Sequence, residues 1–237
     1  MFMSIKGVEK FQNIQNMVTF NILNRTLFIH AEAYGSAFVI DVDNSEYIVT
    51  AKHLLPNDRQ LTSIQIRRNC AWTTYDVKEI GRAPGEIDIA VLKIDVRLVV
   101  EYFPAPTDMA GLVLGQDVHF VGFPYKLEGD VGMLLDGRPL GYVKKGTVSL
   151  CDSPQHPALV LDAINNEGFS GGPVVFAPVG APPNDLRIAA VVSKYRTEME
   201  QVLSVNGEAT GEVVCYNTGF LYAYNIRHAV ELILRQS

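Results

Sequence analysis

Three residues, His53, Asp88 and Ser170, have the types and the chain order needed for nucleophilic hydrolysis. A serine hydroxyl is a poor nucleophile near neutral pH, so it needs a base to take its proton and a third group to orient that base. Ser170 lies in NNEGFSGGPVV, residues 165–175, ahead of an apolar run. This set predicts acyl transfer with Ser170 as nucleophile, His53 as base and Asp88 as the orienting carboxylate.

Three glycines, Gly168, Gly171 and Gly172, surround Ser170. Glycine permits backbone conformations closed to other residues. In such a turn the N–H groups of Gly168 and Ser170 can converge on one point and form an oxyanion hole. Taken alone, the motif is also typical of an ordinary glycine-rich hairpin turn, so the interpretation depends on its companions.

The base and the carboxylate are chosen by their place relative to predicted strands. His53 follows the apolar run EYIVTA, and a side chain at a strand end can reach a cleft. Asp88 begins an apolar strand; its rival, Asp95, would point to the opposite face because strand side chains alternate. A solvated strand end is the alternative for Asp88. The other histidines fall in predicted strands, a loop and a terminal helix: His30, His119, His156 and His228.

Short segments rich in β-branched and aromatic residues recur about every ten residues, separated by Gly, Pro, Asn and Asp. This pattern predicts an all-β sandwich or barrel. The predicted strands are Thr26–Glu32, Ala37–Asp41, Tyr47–Ala51, Ser63–Arg67, Ile87–Ile94, Val118–Phe123, Ala158–Asp162, Val174–Ala177 and Arg187–Ser193.

A helix capped by Asn225 is predicted after the last strand, because apolar residues fall on one of its faces. That face consists of Ile226, Ala229, Val230, Ile233 and Leu234. Residues 5–18 give a weaker helix signal. The predicted long loops are Leu127–Arg138, Ala177–Asp185 and Thr197–Gly211.

Composition excludes some functions. Lys and Arg number 20 against 26 Asp and Glu, a net charge of −6, which argues against nucleic-acid binding. No stretch reaches the roughly 18 apolar residues of a membrane span, and the first residues lack the apolar run of a signal peptide. We therefore expect no membrane association and a cytoplasmic location.

Cys70, Cys151 and Cys215 are expected to be reduced core thiols, with one disulfide plus one free thiol as the alternative.

Five segments resemble successive motifs of chymotrypsin-like (trypsin-like) serine peptidases, most closely the protease domain of the HtrA branch. They are GSAFVI, IVTAKHLL, DIAVLKID, DAINNEGFSGGPVV and TGFLYAY. The order His, Asp, Ser is also that of this family. The resemblance implies one peptidase domain over residues 1–237, built of two six-stranded β-barrels of the chymotrypsin type. The lobes would span about residues 20–108 and 109–224, with a C-terminal helix at 225–237.

The resemblance also implies roles at single positions. Gly168 and Ser170 would supply the oxyanion amides, and Ser193, Lys194 and Tyr195 would form a pocket wall that pairs with substrate backbone. Ile164 would lie at the base of the primary pocket and favour aliphatic or small side chains. The implied partner is a polypeptide substrate, with a regulatory protein or homo-oligomer left open, and no metal or organic cofactor is implied.

The sequence departs from the resembled family at two points, and its motifs also leave two other functions open. Phe169 replaces the aspartate of zymogen-activated members and the asparagine usual in the HtrA branch, and no residues remain in this chain for a PDZ domain. GFSGG also fits the GxSxG of an α/β-hydrolase esterase, but that motif requires a helix after the serine. The other alternative is a catalytically silent or partner-activated module that binds peptides on the same fold.

Overall fold

The chain is described by a computed structural model over residues 18–99, 103, 105–129, 135–182 and 185–236. The helix predicted at residues 5–18 lies outside this part of the chain except for its last residue. A short helix, α1, is found directly after it at Phe20–Arg25. None of the described helices is long and apolar enough to cross a membrane.

The first lobe is a seven-stranded antiparallel sheet with the order β5-β4-β1-β2-β3-β7-β6. Its edge strands β5 and β6 are joined through a single residue, Val77, so the sheet curls until its two edges meet. The first lobe has seven strands where six are predicted, because the chain is divided at Val77 into two strands, β5 and β6. The strands are β1 Thr26–His30, β2 Tyr34–Val42, β3 Ser45–Thr50, β4 Ser63–Arg68, β5 Ala71–Asp76, β6 Lys78–Arg82 and β7 Ala90–Lys93.

The second lobe is a closed six-stranded barrel with the order β10-β13-β12-β11-β8-β9, completed by pairing of β9 with β10. Its strands are β8 Asp117–Gly122, β9 Tyr142–Leu150, β10 Ala158–Asp162, β11 Pro173–Phe176, β12 Arg187–Leu203 and β13 Ala209–Asn225. Together with the curled first sheet, this barrel confirms the predicted all-β fold of the chymotrypsin type.

The prediction of a loop at Thr197–Gly211 is wrong. This segment continues β12 and returns as β13, which makes a long two-stranded ribbon in which Glu198 pairs with Tyr216 and Glu200 with Val214. Both faces of the ribbon are largely solvent-exposed, so it lacks the apolar alternation by which strands are recognised in a sequence. The described parts of the other two predicted loops contain no strand or helix, apart from one bridge between Gly129 and Leu140.

The lobes share a hydrophobic core in addition to the one inside each of them. Strand β2 shows why: Ala37 and Val39 pack inside the first lobe, whereas Phe38 and Ile40 join a cluster that includes Val191 of the second lobe. A strand that is buried on both faces reads as a continuous apolar run, as AFVI does. The two lobes are therefore packed as one unit.

The predicted C-terminal helix is present as α2, Arg227–Leu234, and packs on β6 and β7 of the first lobe. The Asn225 side chain accepts a hydrogen bond from the Arg227 N–H at 3.0 Å, as expected of a cap. Ile226, Ala229 and Ile233 are buried, but the prediction fails for Leu234, which is 55% exposed at the helix end. Helix α2, which follows the last strand of the second lobe, thus packs the end of the chain against the first lobe.

The three cysteines are free thiols, but the expected core positions are wrong for two of them. Cys70 is exposed in the turn between β4 and β5, with a φ of 56°, and Cys215 is exposed on the ribbon. Cys151 is partly buried.

Replacement of Ile233 by Ala tests the docking of α2. We expect a loss of about 2–5 kcal/mol in the free energy of unfolding, because a fully buried side chain is removed from the shared core. The matched control, Leu234→Ala, should change that free energy by no more than about 0.5 kcal/mol, since Leu234 is exposed. Denaturant unfolding measures both. Equal effects would contradict the docking of α2 described above.

Candidate active site

His53 and Asp88 are brought together by the pairing of β3 with β7, in which Thr50 lies opposite Ala90. After β3 the chain forms a short 3-10 turn, Lys52–Leu54, and Asp88 lies just before β7. The His53 N–H donates to Asp88 Oδ1 at 3.0 Å, and His53 Nδ1 lies 2.6 Å from Asp88 Oδ2. Both carboxylate oxygens therefore fix the orientation of this histidine.

Asp88 is buried and ionised. It is 8% exposed, and its Oδ2 also accepts a hydrogen bond from the Ser193 hydroxyl at 2.5 Å. Burial raises the pKa of Asp88, but the hydrogen bonds that it accepts from His53 and Ser193 outweigh this effect and hold the pKa below its usual value. An ionised carboxylate can only accept, so His53 Nδ1 carries a proton, and Nε2 is the ring nitrogen left to accept one.

The turn that carries Ser170 has the geometry of a type II turn. Gly168 has a φ of +101°, and the Phe169 N–H donates to Asn166 O at 3.3 Å across the turn. The Tyr125 N–H donates to Glu167 O at 2.8 Å and so holds the peptide unit that contains the Gly168 N–H. Within the described part of the chain, the N–H groups of Gly168 and Ser170 have no hydrogen-bond acceptor.

The Ser170 hydroxyl does not point to the histidine. It donates to Ser193 O at 2.7 Å, and no hydrogen bond joins it to His53 among the described residues. The His53 side chain is 47% exposed and borders the same cavity as Ser170. Catalytic hydrogen bonds are often absent or long in proteins without bound substrate.

A cavity of about 620 Å³ lies beside these side chains. Ser193, Lys194 and Tyr195 line it, as the sequence predicts, and so do Glu86 and Tyr224. The remaining lining residues are Lys52, His53, Asn57, Arg82, Asp88, Glu167 and Ser170.

Ile164 is not brought to this cavity. Its side chain is 51% exposed, whereas both neighbours, Ala163 and Asn165, are buried. Ile164 is therefore not among the residues that line this cavity, and its place at the base of the primary pocket stays a prediction.

Two features of the site go beyond the sequence-based expectations. Ser193 is expected only as a pocket wall, yet its buried hydroxyl also binds Asp88. Phe169 is completely buried in the core of the barrel, with its ring edge-to-face on Phe120 at 5.0 Å between centroids. An apolar anchor thus occupies the position that carries a polar residue in the resembled families. Local sequence gives no signal for either contact.

Ser170 is followed by strand β11, Pro173–Phe176, and not by a helix. The nucleophile elbow of an α/β-hydrolase requires a helix directly after the serine. The esterase alternative is therefore excluded by the local fold.

Comparison with known proteins agrees with this architecture. The family model described as a trypsin-like peptidase domain matches residues 35–177, more than half of the chain. The chain belongs to the trypsin-like peptidase family. This trypsin-like domain is 30% identical over 151 residues to the mitochondrial protease Do-like 3 of Arabidopsis thaliana, a match that covers 62% of this chain and 24% of that relative.

Solved structures of similar fold include the serine endoprotease of Yersinia pestis, with a TM-score of 0.54 and 19% identity over 91% of this chain and 63% of that one. The HtrA-type protease AlgW with a tripeptide has a TM-score of 0.55 and 19% identity over 90% of this chain and 60% of that one. The MamO protease domain of Magnetospirillum magneticum has a TM-score of 0.54 and 18% identity. The match covers 90% of this chain and 98% of that one. The trypsin-like domain therefore spans less than two thirds of the length of the Yersinia pestis endoprotease and of AlgW.

The environment of Asp88 predicts a pH dependence of stability. Its pKa in the folded protein lies below the ordinary 3.8, so the carboxylate stabilises the fold above that pH. This contribution is lost as the pH falls through the lowered pKa. Between about pH 5 and pH 2, the free energy of unfolding in urea should therefore fall more steeply for the natural protein than for Asp88→Asn. Parallel curves would show that Asp88 is not stabilised as described.

Proposed function

We propose that this trypsin-like domain is a serine endopeptidase that hydrolyses peptide bonds through an acyl-enzyme on Ser170. The observation that carries the proposal is the arrangement of His53, which is fixed by both oxygens of a buried Asp88 and borders the same cavity as Ser170. The N–H groups of Gly168 and Ser170, which have no acceptor among the described residues, add the donors that acyl transfer requires.

In the proposed reaction, Ser170 Oγ attacks the carbonyl carbon while His53 Nε2 takes its proton. The carbonyl electron pair moves onto oxygen, and the Gly168 and Ser170 N–H groups stabilise the resulting oxyanion. When the C–N bond breaks, His53 gives its proton to the leaving amine. Water then attacks the acyl-enzyme in the same way, and the acid product and free Ser170 are released. Asp88 keeps the His53 ring oriented and stabilises its cationic form.

The proposed substrate is a polypeptide in extended conformation. Strand β11 pairs with β12 only as far as Val191, so on that side β12 has no partner strand at Lys194 and Tyr195 among the described residues. A peptide can add to this open edge as a further strand and present its carbonyl to Ser170. Regulation by a partner, self-association and a cytoplasmic location remain predictions.

One observation favours a second candidate, a peptidase fold that is silent until a partner or substrate reorganises it. The Ser170 hydroxyl donates to Ser193 O and not to His53. In that state the base cannot take the proton, and the domain would bind peptides without cleaving them. A rotation about the side-chain torsion of Ser170 separates the two states.

Labelling with a fluorophosphonate probe distinguishes the two candidates. We expect labelling of Ser170, located by intact mass and peptide mapping, because this probe reacts only with an activated serine. Ser170→Ala should abolish labelling, and the same change should lower peptide hydrolysis by at least about a thousandfold. His53→Ala should also prevent labelling, whereas Ser63→Ala, at an exposed position on β4, should leave it unchanged.

Circular dichroism should show that the unreactive variants remain folded. Folded natural protein that stays unlabelled both alone and with a peptide library would overturn the endopeptidase proposal. Labelling only after peptide addition would favour the substrate-activated state.

A further inference from the structure

Ser36, in strand β2 of the first lobe, makes four hydrogen bonds although it is completely buried. Its Oγ donates to Gly168 O at 2.7 Å and accepts from the Phe123 N–H at 3.1 Å. Its own N–H donates to Ser170 O at 2.9 Å, and its carbonyl accepts from the Thr50 hydroxyl at 2.8 Å. A single residue of the first lobe thus holds two carbonyl groups, those of Gly168 and Ser170, in the segment at residues 166–172 that we call the nucleophile turn after the proposed role of Ser170.

The Ser36 hydroxyl bridges the Gly168 carbonyl and the Phe123 N–H. It uses its one proton on Gly168 O, and one of its lone pairs accepts from Phe123. A hydroxyl in an otherwise apolar strand is costly to bury unless it is hydrogen-bonded, and AFVI after it consists of apolar residues only. The space is tight, since a Cβ on Gly122 would lie 2.6 Å from Ser36 Oγ.

The contact to Gly168 O bears on the oxyanion donor. Gly168 N–H and Gly168 O belong to the two peptide units that meet at the Gly168 Cα, and glycine resists rotation of these units less than other residues do. The unit with the N–H is held by Tyr125, and the unit with the carbonyl is held by Ser36. Without Ser36 Oγ, the Gly168 carbonyl loses its donor, and the turn at residues 166–169, which contains the Gly168 N–H, is held by Tyr125 on one side only.

We propose that Ser36 is a positioning residue that fixes the Gly168 N–H for oxyanion binding from the opposite lobe. The inference rests on the proposed function, because it assigns Ser36 to the same site. Its consequence is that the transition state, and not substrate binding, depends on the Ser36 hydroxyl. The first lobe then contributes to catalysis through Ser36 as well as through His53 and Asp88.

The test compares Ser36→Ala with Thr50→Val, which also removes a buried hydroxyl beside the turn, but one that donates to Ser36 O and not to Gly168 O. Ser36→Ala should lower kcat on the order of ten- to a hundredfold with little change in KM, because an oxyanion donor is loosened. Thr50→Val should stay within about threefold of the natural kcat. Ser36→Cys, which keeps a weak S–H donor, should recover part of the loss.

A second measurement does not require activity. In protein labelled with ¹⁵N-glycine, the Gly168 amide resonance should broaden or shift in Ser36→Ala and remain as in the natural protein in Thr50→Val. Equal kcat values, or equal spectra for these two variants, would overturn the role of Ser36. If the natural protein neither reacts with fluorophosphonate nor cleaves peptides, the proposed function fails, and the Gly168 spectra still decide whether Ser36 positions this amide.

Discussion

The nucleophile turn approaches neighbouring backbone so closely that three of its positions have no room for a side chain. A Cβ on Gly171 would lie 2.0 Å from Ser36 O, one on Gly168 would lie 2.2 Å from Phe123 O, and one on Gly172 would lie 2.1 Å from Val121 O. These oxygens belong to both lobes. Gly171 therefore allows the close approach of the two lobes on which the Ser36 hydrogen bonds depend, and Gly168 and Gly172 let the turn pack closely on its own lobe.

The polar contacts around Asp88 illustrate how a buried charge is kept. Asp88 lies almost out of solvent, and its two oxygens accept hydrogen bonds from His53 and Ser193. Removing a carboxylate from water is costly unless such donors replace the water. The three residues come from three separate parts of the chain, so the ionised form of Asp88 depends on the complete two-lobed fold.

Much of this structure is predictable from sequence, because apolar runs punctuated by turn residues give the strands and the glycine motif gives the nucleophile turn. The contacts that complete the site are not predictable in the same way. Ser36 reads as one small residue in an apolar strand, and its partner Gly168 lies 132 positions away. The second role of Ser193 and the burial of Phe169 also arise from packing between distant segments.

The misread ribbon has a related cause. Most residues of β12 from Lys194 to Leu203 are exposed, so this part of the strand lacks the alternation that identifies strands in a sequence. Ile164 shows the converse case, since an apolar residue is half-exposed here. The alternation of apolar and polar residues in a sequence indicates burial only where another part of the structure covers the apolar face.

The docking of α2 on the first lobe has a consequence for synthesis of the chain. Ile226, Ala229 and Ile233 belong to the same core cluster as Phe38, Val49 and Val91, which the ribosome makes far earlier. During elongation the first sheet therefore exposes the apolar face that this helix later covers. Complete burial of this cluster has to wait for residues 226–233 to emerge, which places the last packing step after the synthesis of both lobes.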